Sequence, residues 1–253
     1  MSVVGALVVF AAGVAAGLVN AVAGGGTLLS FPALVWLGRD PIVANVTNTI
    51  ALWPGSFASM LGFRRELRGS ERLLLVLALP SLLGGIVGAM LLLHTPSRTF
   101  SRLVPWLILF ATALFAAQGP ITRLLRRTSA EPNVRWAGGA ALFQFFVAVY
   151  GGYFGAGMGI ITLAALGLLG LTDIFHMNGL KNAIVFVINA VAAIYFALHA
   201  DVGWTDALVL AAGAVTGGWG GATVARRIGR DAVRRTVIVI GLAMAASLAW
   251  RHP

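Results

Sequence analysis

Two polar constellations could do chemistry in a chain that is otherwise strongly apolar: Asn45-x-x-Asn48-Thr49 and Asn178-x-x-Lys181-Asn182. A spacing of three puts the paired side chains on one face if the segment is helical. Asparagine amides supply hydrogen-bond donors without charge, and a lysine adds a cation. Together they suit an anion. Lys181 is the chain's single lysine, and the residues that follow it through Leu198 carry no charge. An ionisable group on a membrane element is costly and is a functional candidate by default. The alternative is a snorkelling lysine near a helix start, where it would meet the positive end of the helix dipole. An anion beside Lys181 would remove that conflict.

Glycine clusters form the second pattern. Asn20-Ala-Val-Ala-Gly24-Gly25-Gly26-Thr precedes one short apolar piece, Gly26 to Leu37, and Gly151-Gly-Tyr-Phe-Gly155-Ala-Gly157-Met-Gly159 precedes another, Gly157 to Leu169. Glycine lets a helix break and restart. The restarted helix aims free N–H groups and a partial positive charge at whatever lies before it. Two such starts at the membrane midplane make an anion site. The competing reading is tight helix packing, which suits the GxxxG pairs Gly84/Gly88 and Gly217/Gly221 better.

The elements that position these residues follow from composition. The chain is 59% hydrophobic and 10% charged, which excludes both a soluble globule and a disordered segment. The expectation is an all-α integral membrane protein. Eight long apolar stretches approach the roughly 20 residues of a spanning helix, while the two short pieces have the length of re-entrant or broken helices near the midplane. The halves repeat: at an offset of 133, Asn45 falls on Asn178, Asn48 on Lys181 and Gly84-Gly85 on Gly217-Gly218. At a slightly shorter offset Gly24 and Gly26 meet Gly155 and Gly157. The expected organisation is therefore a first membrane repeat over 1–118, a cytoplasmic linker over 119–135 and a second repeat over 136–253. Each repeat holds about five elements. Loop 64–72 has four arginines, whereas its mate near 199–206 has two aspartates and no basic residue. Basic loops stay in the cytoplasm, so the two repeats are read as inverted. In that scheme His199, Asp201 and Asp206 belong to an exterior loop, while Asp173 and His176 cap or flank a helix start.

Other chemistries find little support. With no cysteine there is no disulfide, thiolate metal site or cysteine nucleophile. The charge of +10 sits between apolar runs rather than on a basic domain, which argues against nucleic acid. No lysine of Walker type follows a glycine run, and no histidine has a convincing catalytic partner, so neither a cofactor nor an enzymatic activity is expected.

GLVNAVAGGGTLLSFPAL, ANVTNTIAL and GFRREL resemble the first half of the TauE/SafE sulfite exporter family, and the stretch from Gly151 through Phe196 resembles its second half. The resemblance implies a bacterial inner-membrane exporter of small sulfur-containing anions such as sulfite or sulfonates, in some members coupled to protons. Thr47-Asn48 matches the family's Gly-Thr-Asn-Lys stretch and Gly179-Leu-Lys181 its Gly-Thr-Lys stretch. Here Val46, Thr49 and Leu180 replace the first glycine, the first lysine and the second threonine. The expected substrate contacts are Asn20, Gly24, Gly25, Gly26, Asn48, Gly155, Gly157, Asn178, Lys181 and Asn182. Expected partners are the lipid bilayer, a small anion, a co-transported proton and a second copy in a homodimer. A non-transporting scaffold and a channel or carrier for a non-sulfur organic anion remain the alternatives.

Overall fold

The computed structural model describes residues 2–251 except 23, 63, 66, 68, 128–136, 170, 172 and 229. Side chains at 21–22, 118, 121–127, 137, 168, 174–175, 220–228, 230–234, 236 and 248–251 are also outside the description. The expectations for the linker from 128 onward and for the side-chain position at Gly221 therefore lie outside the described residues.

Ten helices occupy the described residues, with no strand among them. The first five are α1 (Val3–Val22), α2 (Thr27–Trp36), α3 (Pro41–Gly62), α4 (Glu71–His94) and α5 (Ser97–Arg127). The second five are α6 (Ala137–Tyr153), α7 (Met158–Leu168), α8 (Ile174–His199), α9 (Trp204–Ile228) and α10 (Arg230–Arg251). Four segments are long and apolar enough to cross a membrane: Val3–Asn20, Glu71–His94, Ser97–Ala117 and His176–His199. The protein is an all-helical, multi-pass membrane protein.

Local chemistry sets the short helices. At the end of α2, Gly38 takes a φ of +83°. Its N–H donates to Val35 O, while the Arg39 N–H reaches back to Leu34 O, the paired bonds of a glycine helix stop. Leu171 N–H repeats the longer of these bonds to Leu166 O at the end of α7. Asp40 then caps α3 by accepting from Ile42 N–H at 2.8 Å, with Pro41 at the first helical position. The cap carries α3 back six residues before the apolar run at 47, which places Asn45, Asn48 and Thr49 inside the helix. Likewise α5 continues through Arg127, beyond the point where the polar linker was expected to begin.

The five-element halves interlock. Helix α1 packs on α9 of the other half, and α6 on α4. These contacts depend on glycine: a Cβ on Gly17 would lie 2.2 Å from Ala214 O, and one on Gly88 would lie 2.1 Å from Val149 O. Gly84 and Gly217 approach backbone carbonyls as closely, so the packing reading holds for them. Along α1 and α9 the contacts climb together, from Gly13 against Leu210 to Gly17 against Ala214. The same holds for Gly84 against Phe145 and Gly88 against Val149. Helix α3 runs with α9, from Thr47 at Gly203 to Gly55 at Ala214, and α8 runs with α4, from His176 at Ser70 to Ile188 at Gly85. Thr47 meets the residues just past the end of α8 while Ser56 meets Asn189 within it, so α3 and α8 are opposed.

Candidate functional site

The joints between α1 and α2 and between α6 and α7 are built alike. Gly24 and Gly155 have φ of +76° and +77°, and their N–H groups donate to Val19 O and Tyr150 O, five residues back. The joints then differ in how they are braced. In the first half the Asn20 side chain accepts from Gly26 N–H at 2.9 Å. In the second half Gly151 stands at the matched position, and the brace is Tyr150, whose hydroxyl donates to Ala156 O at 2.6 Å.

The two joints meet each other. A Cβ on Gly24 would lie 3.1 Å from Gly159 Cα, and one on Gly159 would lie 3.3 Å from Lys181 Cδ. Lys181, 1% exposed, thus lies along the glycine seam where the joints touch. Beside this seam is a small cavity, with about 20 Å³ open to the centre of a water-sized sphere. That is room for a water. The first half lines it with Asn20, Gly24, Thr27, Thr49 and Leu52. The second half lines it with Gly151, Phe154, Gly155, Met158, Val185 and Asn189.

Many of these residues are repeat mates: Gly24 with Gly155, Thr27 with Met158, Asn20 with Gly151 and Leu52 with Val185. Mates also touch directly where α3 crosses α8. Asn189 Nδ2 donates to Ser56 Oγ at 3.1 Å, and the Trp53 ring stacks on Phe186 with centroids 6.1 Å apart. Both pairs are 133 residues apart. The cavity is therefore lined from both sides of the α3–α8 crossing, largely by residues that the sequence offset pairs.

Of the residues expected from sequence, Asn20, Gly24 and Gly155 line the cavity. Asn48 stands behind Thr27: its Nδ2 donates to Thr27 Oγ1 at 3.4 Å, and its Oδ1 accepts from the Ser30 hydroxyl. Gly25 and Gly26 back the joint, against the Phe115 ring and Ala16 O, and Gly157, at φ +77°, opens α7 beside Ala111. Asn178, Lys181 and Asn182 are buried on α8 and do not line the cavity in this conformation. Asn182 Nδ2 has no hydrogen-bond partner among the described residues. Asn189, Met158, Phe154 and Val185 were not picked out by the sequence reading; the offset that pairs Ser56 with Asn189 was the signal that could have found Asn189.

Each end of the molecule carries a tie between the halves. At one end Arg39 forms an ion pair with Asp206, with Nε 2.6 Å from Oδ2 and a second bond of 3.2 Å. The exterior-loop placement of Asp206 needs correction: it lies in the first turn of α9 and is 3% exposed. At the other end Ser70 and His176 are hydrogen bonded, in keeping with a flanking role for His176 at the start of α8.

The family described as sulfite exporter TauE/SafE matches residues 9–248. The chain belongs to the TauE/SafE family. A probable membrane transporter protein of Haemophilus influenzae is 26% identical, over 96% of this chain and 94% of its own length. The probable membrane transporter proteins ORF9 of Sinorhizobium sp. and YfcA of Escherichia coli K12 are 25% and 26% identical. They cover 94% and 96% of this chain and 90% and 89% of their own lengths. No solved structure matches the chain. This TauE/SafE member is accordingly a membrane transporter, and its relatives are named as transporters rather than enzymes.

Proposed function

We propose that the chain is a secondary transporter that exports a small sulfur-containing anion, such as sulfite or a sulfonate, across the bacterial inner membrane. The two halves act as inverted repeats around a shared site. The observation that carries this reading is the cavity lined from both halves at the meeting point of two broken helices, the kind of place where carriers built from inverted repeats bind their cargo. Support for inversion comes from helix direction: α1, α3 and α9 run one way, and their mates α6, α8 and α4 the other. Asn20 and Thr27 offer neutral donors at the cavity, and Lys181 supplies the cation just behind Gly24. The membrane potential drives an anion outward with about 2.3 kcal/mol per charge per 100 mV, so export needs no ATP.

The test is flux of radiolabelled sulfite and sulfonates in proteoliposomes with an imposed potential. Saturable flux is expected. Lys181→Ala should raise the half-saturating concentration by about tenfold or more, the worth of one charge-assisted contact, with an unchanged size-exclusion profile. Equal affinity in a folded variant would remove Lys181 from the site, and a lack of saturable flux in the unaltered protein would remove the function.

A further inference from the structure

The cavity is shaped by two copies of one fold, yet its polarity is not shared between them. The first half contributes three polar side chains, Asn20, Thr27 and Thr49. The second contributes Phe154, Met158 and Val185, with Asn189 its one polar side chain at the cavity. The contrast is sharpest at matched positions, where Asn20 corresponds to Gly151 and Thr27 to Met158. Met158 also fills the room that the missing side chain leaves, since a Cβ on Gly151 would lie 2.7 Å from its sulfur.

Two of the three polar groups are left to donate, Asn20 and Thr27, while the Thr49 hydroxyl is spent on Asn45 O at 2.9 Å. The Oδ1 of Asn20 is taken by Gly26 N–H, which leaves its Nδ2 to donate. Thr27 Oγ1 already accepts from Asn48, which leaves its hydroxyl proton to give. A negatively charged head fits this wall. The facing ring, thioether and isopropyl groups offer no hydrogen bond. Sulfate, with oxygens on all sides, would lose water at that wall without replacement, and sulfite, with its three oxygens on one side of sulfur, has no apolar group to bury there. An anion with one compact apolar group would instead bury it there.

From this division we infer that the cavity selects a small organic anion, held by its charged head against the first half and by a short apolar group against the second. Met158 is the residue that sets the preference. Its flexible thioether can yield as the cavity opens around a cargo larger than a water. This inference rests on the transporter reading of the same cavity and narrows it.

The experiment compares half-saturating concentrations for flux of sulfite, sulfate, ethanesulfonate and propanoate in proteoliposomes. Ethanesulfonate should saturate at a concentration about tenfold below sulfite, because each buried methylene is worth about fourfold in affinity. The comparison of ethanesulfonate with propanoate, which share a tail, reads the head separately. Met158→Thr copies the first half's residue into the second and should shrink the ethanesulfonate preference to about threefold or less. Met158→Leu should keep the preference. Should Met158→Thr fail to fold, Val185→Thr makes the same test on the neighbouring wall. Sulfite saturating as low as ethanesulfonate, or a preference unmoved by the threonine variants, would overturn the inference while leaving transport intact. Absence of flux for every anion would overturn the transporter reading and this inference with it.

Discussion

The Arg39–Asp206 pair joins a buried group to an exposed one, and that difference decides what each deletion costs. The Asp206 side chain is 4% exposed, whereas that of Arg39 is 39% exposed. Removing the carboxylate leaves a guanidinium that can turn into water. Removing the guanidinium strands a carboxylate among packed helices, with only the start of α9 to offset its charge. Arg39→Ala should therefore lower stability by about 2 kcal/mol and Asp206→Ala by about 1 kcal/mol. The double variant should resemble Asp206→Ala, because the stranded charge is gone. Chemical unfolding in detergent would check the order, and equal losses would mean that burial of Asp206 carries no penalty. The sequence placed this aspartate in an exterior loop because it falls in the stretch 199–206, the mate of the arginine-rich loop 64–72. Its partner lies 167 residues away, beyond the reach of any local pattern.

At the scale of helices, the glycines that matter are those facing another backbone. Gly17 meets Ala214 O and Gly218 N on α9, neither of which can move aside, so Gly17→Ala must push the helices apart. Overpacking of this kind costs about 1–3 kcal/mol. Gly139 in α6 has nothing within 4 Å of its missing Cβ, so Gly139→Ala should stabilise by about 0.5–1 kcal/mol through backbone entropy alone. Thermal unfolding of the two variants should shift in opposite directions; a gain at both positions would mean that helix propensity, not the α1–α9 contact, dominates. The same distinction explains what could be read from the sequence. Glycine punctuation is local, so α2 and α7 fell within about a turn of the expected pieces. Helix ends were harder, because arginines lower hydropathy without ending a helix, and α5 runs on through them to Arg127. Asn20 and Gly24 were legible as cavity residues because they belong to a dense motif. Asn189 was not: one asparagine in an apolar run has no neighbour in sequence to mark it, and its bond is to Ser56 on another helix.

At the scale of the whole molecule, opposed helix directions and the charge contrast between 64–72 and 199–206 lead to a sidedness that can be tested. The start of α4, beside Ser70 and His176, lies at the end of the molecule opposite the start of α9, beside Thr47 and Arg39. Exposed Arg64, Arg65 and Arg72 mark the first end; the second carries exposed Asp40 and Asp201, together with Arg98 and Arg102 at the start of α5, which Ser97 ties to Asp40. Basic loops are retained in the cytoplasm, so Arg65 should face inward and Asp201 outward. The chain has no cysteine, so single cysteines can be introduced without background. An impermeant maleimide applied to intact cells stripped of their outer membrane should label Asp201→Cys and not Arg65→Cys, and both should label once the membrane is opened. The reverse pattern would keep the halves inverted but turn the molecule over, and labelling of both from one side would end the inverted-repeat proposal. The outcome bears on transport as well as topology. Lys181 lies seven residues into α8, on the Ser70–His176 side of the axis, while its mate Asn48 on the other side is neutral. If that side is cytoplasmic, the cation proposed for the site stands on the side where an anion enters for export, and its neutral mate on the side where the anion must be released.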